Sequence, residues 1–187
     1  TEFRAILKAL VDFWENGTPF DITITDFKYW HRSDRPSENG KPSLAKADLR
    51  STLDGKCVIC AGKAVAHRQY CARCLKFVLI SAEKGARRDA LKKAWSAQKG
   101  GFLCAYTGVR LNDADKRSPW HTSFDHRTPK KKGDLQVVAL FINLMKAELS
   151  DGEFRAFVKE FVRHWTKGTK FNKDVIKFEH WHRGVRP

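Results

Sequence analysis

Apolar and polar positions along the chain separate it into elements before any chemistry is considered. Residues 2–15 set Phe3, Ile6, Leu7, Leu10, Val11 and Trp14 on one stripe at helical spacing, and the pattern stops at "ENG". "FDITITDF" (20–27) alternates as a strand does, and "RSDRPSENGKPS" (32–43) reads as a loop. Residues 44–54 read as a short helix. Residues 75–97 are predicted helical, most clearly in "RRDALKKAW", until "QKGG" breaks the pattern.

From Gly101 the character changes. "FLCAYTGVRL" (102–111) reads as a strand and turn, and "WHTSFDH" (120–126) as the strand returning. "DLQVVALFINLMKAEL" (134–149) is long and apolar enough to predict one largely buried helix. Ser150 and Glu153 have capping-box spacing and open a further helix at "EFRAFVKEFVRHW". The pattern divides the chain into residues 1–50, a cysteine-bearing stretch 51–98, a strand-and-helix stretch 99–149, and a helix with a basic aromatic tail, 150–187. Strands and helices that do not alternate regularly give an α+β class. One short echo recurs: "FKYWHRSDRP" (27–36) and "FEHWHRGVRP" (178–187) share Phe-x-x-Trp-His-Arg-x-x-Arg-Pro. It reads as two similar packing edges or as a pair of Arg/aromatic contacts to nucleic acid.

Composition narrows the partner. The 187 residues are 42% hydrophobic and 30% charged, as in a folded chain. Thirty-six Lys and Arg against 21 Asp and Glu leave a net charge of +15. Solubility alone needs a charge of only ~2–8 in a small domain. An excess this large points to a polyanion, because each phosphate neutralised releases condensed counterions. Membrane binding would call for a basic amphipathic helix with few acids, so nucleic acid is the expected partner and a membrane is not. No apolar run approaches the ~18 residues of a membrane span, and the first residues lack a signal-peptide layout. The expected location is therefore inside the cell, and a start without Met fits a trimmed or excised piece.

Two cysteine pairs stand out. Cys57 and Cys60 in "CVIC" and Cys71 and Cys74 in "CARC" are separated by ten residues. A Cys-x-x-Cys turn lets two thiolates reach one ion at ~2.3 Å, and two such turns close a tetrahedron. Zn²⁺ suits four soft ligands, and a closed set leaves no position for water, so the role predicted is structural. Disulfides are the rival pairing, and His67 between the pairs is an alternative ligand. The module either braces the fold or holds "KAVAHRQ" (63–69) against a phosphate backbone.

The candidate catalytic residues lie further on. "CAYTG" (104–108), "SFDHRTP" (123–129) and "DLQVVALFINLMK" (134–146) together resemble the HNH endonuclease family over about 45 residues. That family is built as two strands and a helix around one metal ion. Its pattern runs Asp-His-x-x-Pro, then Asn-Leu, then Asn-x-x-Lys in the helix. Asp125, His126 and Pro129 match the first part, Asp134-Leu135 stands at the second, and Asn143 with Lys146 at the third. Asp134 replaces the usual Asn, a structural position that organises the loop through side-chain hydrogen bonds. A carboxylate can accept such bonds but not donate them. Many relatives also carry a zinc ion on two further Cys-x-x-Cys pairs. Here those positions are Cys104, Thr107, Ala139 and Ile142, so apolar packing and a buried Cys104 are expected instead.

The resemblance implies a ββα-metal core that hydrolyses DNA, double-stranded DNA being the expected substrate. Asp125 and Asn143 would bind Mg²⁺ (or Mn²⁺), and His126 would activate water. Arg127, Lys130, Lys131, Lys132 and Lys146 would hold phosphates. The residues fit that chemistry on their own terms. Imidazole titrates near neutrality, the neighbouring cations favour its neutral form, and two oxygen ligands leave room on a hard cation for water and phosphate. HNH modules also serve phage, homing, restriction and CRISPR-type systems, where protein subunits or a guide RNA direct them. The competing expectation is a zinc-stabilised nucleic-acid-binding subunit with a vestigial nuclease core.

Overall fold

The computed structural model describes residues 2–24, 26, 27, 30, 54–66, 68–79, 83–175 and 177. In chain order these form α1 (Glu2–Asn16), α2 (Ala72–Val78), α3 (Lys84–Ala94), β1 (Trp95–Ser96) and β2 (Gly101–Phe102). β3 (Thr122–His126), β4 (Leu135–Ala139), α4 (Leu140–Lys146) and α5 (Asp151–Lys167) follow. Helices combine with two small antiparallel sheets, β1–β2 and β3–β4, an α+β arrangement. Among the described residues no helix is long and apolar enough to cross a membrane.

The two long amphipathic helices behave as their periodicity predicts. α1 buries Ile6, Leu7, Leu10 and Val11, and α5 buries Phe154 and Val158 against it. Phe154 meets the rings of Trp14 and Tyr106 edge to face, those two rings are tilted against each other, and Trp14 Nε1 donates to the Tyr106 carbonyl at 2.8 Å. The capping box forms: Ser150 Oγ accepts from the Glu153 N–H while the Glu153 carboxylate accepts from the Ser150 N–H at 2.8 Å. Gly168, with φ +61°, ends α5.

Three expectations need correcting. "FDITITDF" holds a single 3₁₀ turn at Ile22–Ile24 in place of a strand. Asp21 accepts from both the N–H and the hydroxyl of Thr23, at 2.8 and 2.7 Å, and this local bonding competes with an extended ladder. The helix expected over 75–97 is two helices, α2 and α3, and Trp95 leaves α3 extended to pair with Phe102.

Third, residues 135–139 form a strand, and only Leu140–Lys146 is helical. Gln136, Val137, Val138 and Ala139 are all buried, so no alternation marks the strand, and β-branched Val137 and Val138 favour it. β4 pairs with β3, Asp125 opposite Gln136 and Phe124 opposite Val137, and α4 follows with Ala139 as its N-cap. The result is a hairpin leading directly into a helix.

The hairpin has two working faces, because successive strand residues point oppositely. Phe124 and His126 meet Arg87 and Glu83 at the start of α3. Ser123, Asp125 and Gln136 meet Asn143, Lys146 and Asp151 on the other face. All but Asp54 of the short helix expected over 44–54, and nearly all of the two Trp-His-Arg echoes, lie outside the described residues. Of the echoes, Phe27 packs against Trp30, Trp120 and Phe141, and Trp30 Nε1 donates to the Arg117 carbonyl at 2.8 Å.

Candidate functional site

The cysteine pairs converge. The first turn closes when Cys57 N–H donates to the Gly62 carbonyl at 2.7 Å and Ala61 N–H to the Cys57 carbonyl at 2.9 Å, with Ala61 at φ +56°. The second pair starts a helix: Cys71 is the N-cap of α2, its Sγ accepting from the Cys74 N–H at 3.5 Å. The Sγ atoms of Cys57, Cys60, Cys71 and Cys74 all lie within 4.8 Å of one another, and none is in a disulfide. Burial opposes ionising Cys57, but N–H groups of Cys60, Cys71 and Ile59 outweigh it and bring the thiol down to about 7. Burial pushes the Cys60 thiol up, and burial with the neighbouring thiols does the same to Cys74. Four thiols this close resist joint ionisation until a cation joins them. The set can hold a metal such as zinc. His67 lies outside the described residues.

A second turn copies the first without its ligands. Cys104 N–H donates to the Val109 carbonyl at 2.9 Å, Gly108 N–H to the Cys104 carbonyl at 2.8 Å, and Gly108 has φ +64°. Thr107 stands where Cys60 does in the first turn. Cys104, Thr107, Ala139 and Ile142 are all buried, and the Ala139 N–H donates to Cys104 Sγ at 3.4 Å. Burial pushes the Cys104 thiol up. Side-chain packing fills this position.

Asp125, His126 and Asn143 line one cleft of about 220 Å³, together with Phe124, Pro129, Lys130, Ala147 and Glu148. Asn143 is oriented by the hairpin: Nδ2 donates to Ser123 Oγ at 2.7 Å and to the Phe124 carbonyl at 3.0 Å. Only an amide nitrogen can face a carbonyl this way, so Oδ1 is turned elsewhere, and among the described residues it has no hydrogen-bond partner. α4 then stops sharply at Ala147, which has φ +48°, a conformation L residues rarely adopt.

Asp125 is 5% exposed. Its Oδ1 accepts from Lys146 Nζ at 3.0 Å and its Oδ2 from Gln136 Nε2 at 2.9 Å. Burial raises its pKa, and the bonds from Gln136 and Lys146 oppose that rise. Lys146 is fully buried, and its ammonium also donates to the His126 carbonyl at 2.8 Å. That placement corrects the expectation that Lys146 faces a phosphate. The three-residue step from Asn143 is as expected for a helix, but the ammonium turns inward, where the Asp125 carboxylate and the His126 carbonyl both accept from it.

His126 is half-buried, with Nε2 3.4 Å from Glu83 Oε1. The other Glu83 oxygen accepts from the Gly133 N–H at 3.3 Å. The Gly133 bond, with help from His126, holds the Glu83 carboxyl below its usual range. A carboxylate at Nε2 selects the tautomer protonated there, leaving Nδ1 as the basic nitrogen. Glu83 therefore ties the imidazole to the loop at 127–134.

That loop presents Arg127, Lys130, Lys131 and Lys132 to solvent, with Lys130 at the cleft. Asp134 closes it through backbone alone: its carbonyl accepts from the Arg127 N–H at 2.9 Å and its N–H donates to the Lys131 carbonyl at 3.4 Å. Its carboxylate has no hydrogen-bond partner among the described residues, so the expected side-chain bonding of the loop is not formed.

Several residues at the site were not singled out from sequence. Gln136 Nε2 also lies 2.7 Å from Asp151 Oδ1 and 3.0 Å from the Tyr106 hydroxyl, which itself donates to Asp151. An amide amid "LQVVAL" was a legible signal, since a buried polar group requires partners. Glu83 and Glu148 carried no such signal. Compared with family models, with curated proteins and with solved structures, the chain matches none.

Proposed function

We propose that the chain is a metal-dependent DNA endonuclease of the HNH type, hydrolysing phosphodiester bonds and nicking as a monomer, and that its four cysteines form a structural Zn²⁺ site. The observation that carries this reading is the shared cleft of Asp125, His126 and Asn143, with the Asn143 carbonyl oxygen turned from the hairpin and without a hydrogen-bond partner among the described residues. The strand–loop–strand–helix order around it supports the same reading.

Asp125 and Asn143 Oδ1 fit a hard cation: one anionic and one neutral oxygen, in a cleft that also carries the Glu148 carboxylate. Bound there, Mg²⁺ or Mn²⁺ supplies positive charge that offsets the phosphate and the departing oxygen. His126 takes a proton from water at Nδ1, and Glu83 at Nε2 steadies the imidazolium that results. Lys130 and the exposed cations Arg127, Lys131 and Lys132 hold phosphates of the duplex. Lys146 acts from beneath, fixing the Asp125 carboxylate and the carbonyl of the base-bearing residue. The water oxygen bonds to phosphorus as the P–O bond to the 3′ oxygen breaks, and that oxygen takes a proton from solvent, leaving 5′-phosphate and 3′-hydroxyl ends. One such site cuts one strand. Protein subunits or a guide RNA would supply targeting if the chain belongs to a phage, homing, restriction or CRISPR-type system.

A second reading, a zinc-stabilised nucleic-acid-binding subunit with a vestigial nuclease core, draws on Asp125. Lys146 already neutralises that carboxylate, and little of it meets solvent. Supercoiled plasmid incubated with and without Mg²⁺ separates the two. The nuclease nicks it only with the ion, and His126→Ala lowers nicking by at least ~10²-fold while DNA is still bound. Plasmid that is shifted by the protein but stays covalently intact under every condition supports the binding subunit.

A further inference from the structure

A second cleft, of about 310 Å³, lies beside the first along β3, and Phe124 lines both. Arg87, Lys116, His121 and Thr122 line it, and among the described residues no Asp or Glu does. Two of these groups are left wanting a partner. Arg87 is half-buried over the Phe124 ring, 4.3 Å from its centroid; Glu83, four residues back, attracts it electrostatically, but among the described residues no carboxylate is in ion-pair contact with it. Among the described residues its one side-chain hydrogen bond runs from Nη1 to the Phe77 carbonyl at 3.4 Å, and its buried Nε has no acceptor. Thr122, 4% exposed, has a hydroxyl that is likewise buried and unpaired.

A guanidinium drawn out of water with one long hydrogen bond for its five N–H donors is an unfavourable arrangement that an anion relieves. The planar fork matches two phosphate oxygens, and an aromatic ring beneath it holds the fork flat. We infer that this cleft is a second backbone subsite, binding a phosphodiester of the same strand that crosses the Asp125–His126–Asn143 cleft. The identity of that strand rests on the nuclease reading; the anion site does not. Thr122 and Ser123 precede Asp125 by two or three residues, about 7–10 Å at ~3.3 Å per residue. Consecutive phosphates of a strand are further apart than their ~3.4 Å rise along the helix axis, so this separation places the bound phosphate about one or two nucleotides from the scissile one.

The test is binding of a short duplex in buffer with no added divalent ion and no chelator, so that nothing is cut and the cysteine cluster is undisturbed. Arg87→Gln and, separately, Lys116→Gln are each expected to weaken binding and lower the slope of log K against log salt by ~0.9, the value for one phosphate contact. Duplexes carrying a single neutral methylphosphonate, scanned along the strand, sharpen the result. Wild type loses about tenfold at one position flanking the cut site, the scale of a charge-assisted contact. Arg87→Gln loses less than about twofold there, because the interaction is already gone.

Should Arg87→Gln fail to fold, the scan on wild type and Lys116→Gln still decides. Unchanged slopes, or a scan in which only the scissile phosphate matters, overturn the subsite. Plasmid nicking with Mg²⁺ is read alongside. Nicking with a flat scan sinks the subsite and leaves the nuclease standing, and the reverse outcome separates them the other way.

Discussion

Lys146 and Asp125 form an ion pair closed to solvent, Nζ to Oδ1 at 3.0 Å, with the lysine fully buried. Removing one partner of such a pair strands the other charge. Lys146→Met is therefore expected to destabilise the fold by about 3–5 kcal/mol, measured from the urea midpoint. Asp125→Asn combined with Lys146→Met should lose clearly less than the two single variants added together. Additive losses would show that the pair is not coupled.

Glu83 offers a second decision. If it orients His126, Glu83→Ala lowers kcat for plasmid nicking by about 10–100-fold, the range for losing such a supporting partner. KM and DNA affinity then stay the same or improve, since a negative charge has been removed. Glu83→Gln keeps an acceptor and should recover part of the rate. Weaker DNA binding with kcat intact would mean that Glu83 serves chiefly to anchor the Gly133 loop.

How much of this was legible in the sequence depends on the distance over which each residue acts. α1, α5 and the Ser150–Glu153 box are local patterns, and they fold as read. Asp125, His126 and Asn143 were named from a motif whose spacing the hairpin and α4 close into one cleft. β4 escaped because both its faces are covered, which removes the alternation that would mark a strand. Lys146 was placed on the right helix but turned the wrong way, since helical spacing does not reveal a buried counter-charge. Glu83 lies 43 residues from His126, beyond any local pattern.

The cysteine cluster makes a prediction that does not depend on the nuclease. The protein as purified should carry one equivalent of zinc, lost on Cys74→Ser. For a chain of this size each kcal/mol lost moves Tm by about 2–4 °C, so a fall under ~4 °C would count against a structural role. Metal binds the thiolates, and Cys57, at about 7, is brought down by surrounding N–H groups while burial holds Cys60 and Cys74 up. Affinity should accordingly rise with pH through neutrality and weaken as the pH falls. Zinc release monitored by a chromogenic chelator against pH checks the sign.

Glu160 and Asp125 should respond to acid in opposite directions. Glu160 is brought down to about 2, first by Arg163, which donates from Nε at 2.7 Å, and then by the Asn172 N–H. A carboxyl depressed in the folded state contributes stability that is complete above its unfolded value, about 4.3, and is lost as pH falls toward 2. Asp125 is raised by burial, so the folded chain takes up its proton at higher pH than the unfolded one, and its ionisation lowers stability as pH climbs. The stability gap between wild type and Glu160→Gln should therefore be constant above pH ~5, shrink below it, and vanish near pH 2. Hydrogen exchange at the Asn172 amide, which donates to the Glu160 carboxylate, should speed up over the same interval. A gap that stays constant to pH 2 would mean that Glu160 holds this turn no better than a neutral amide does.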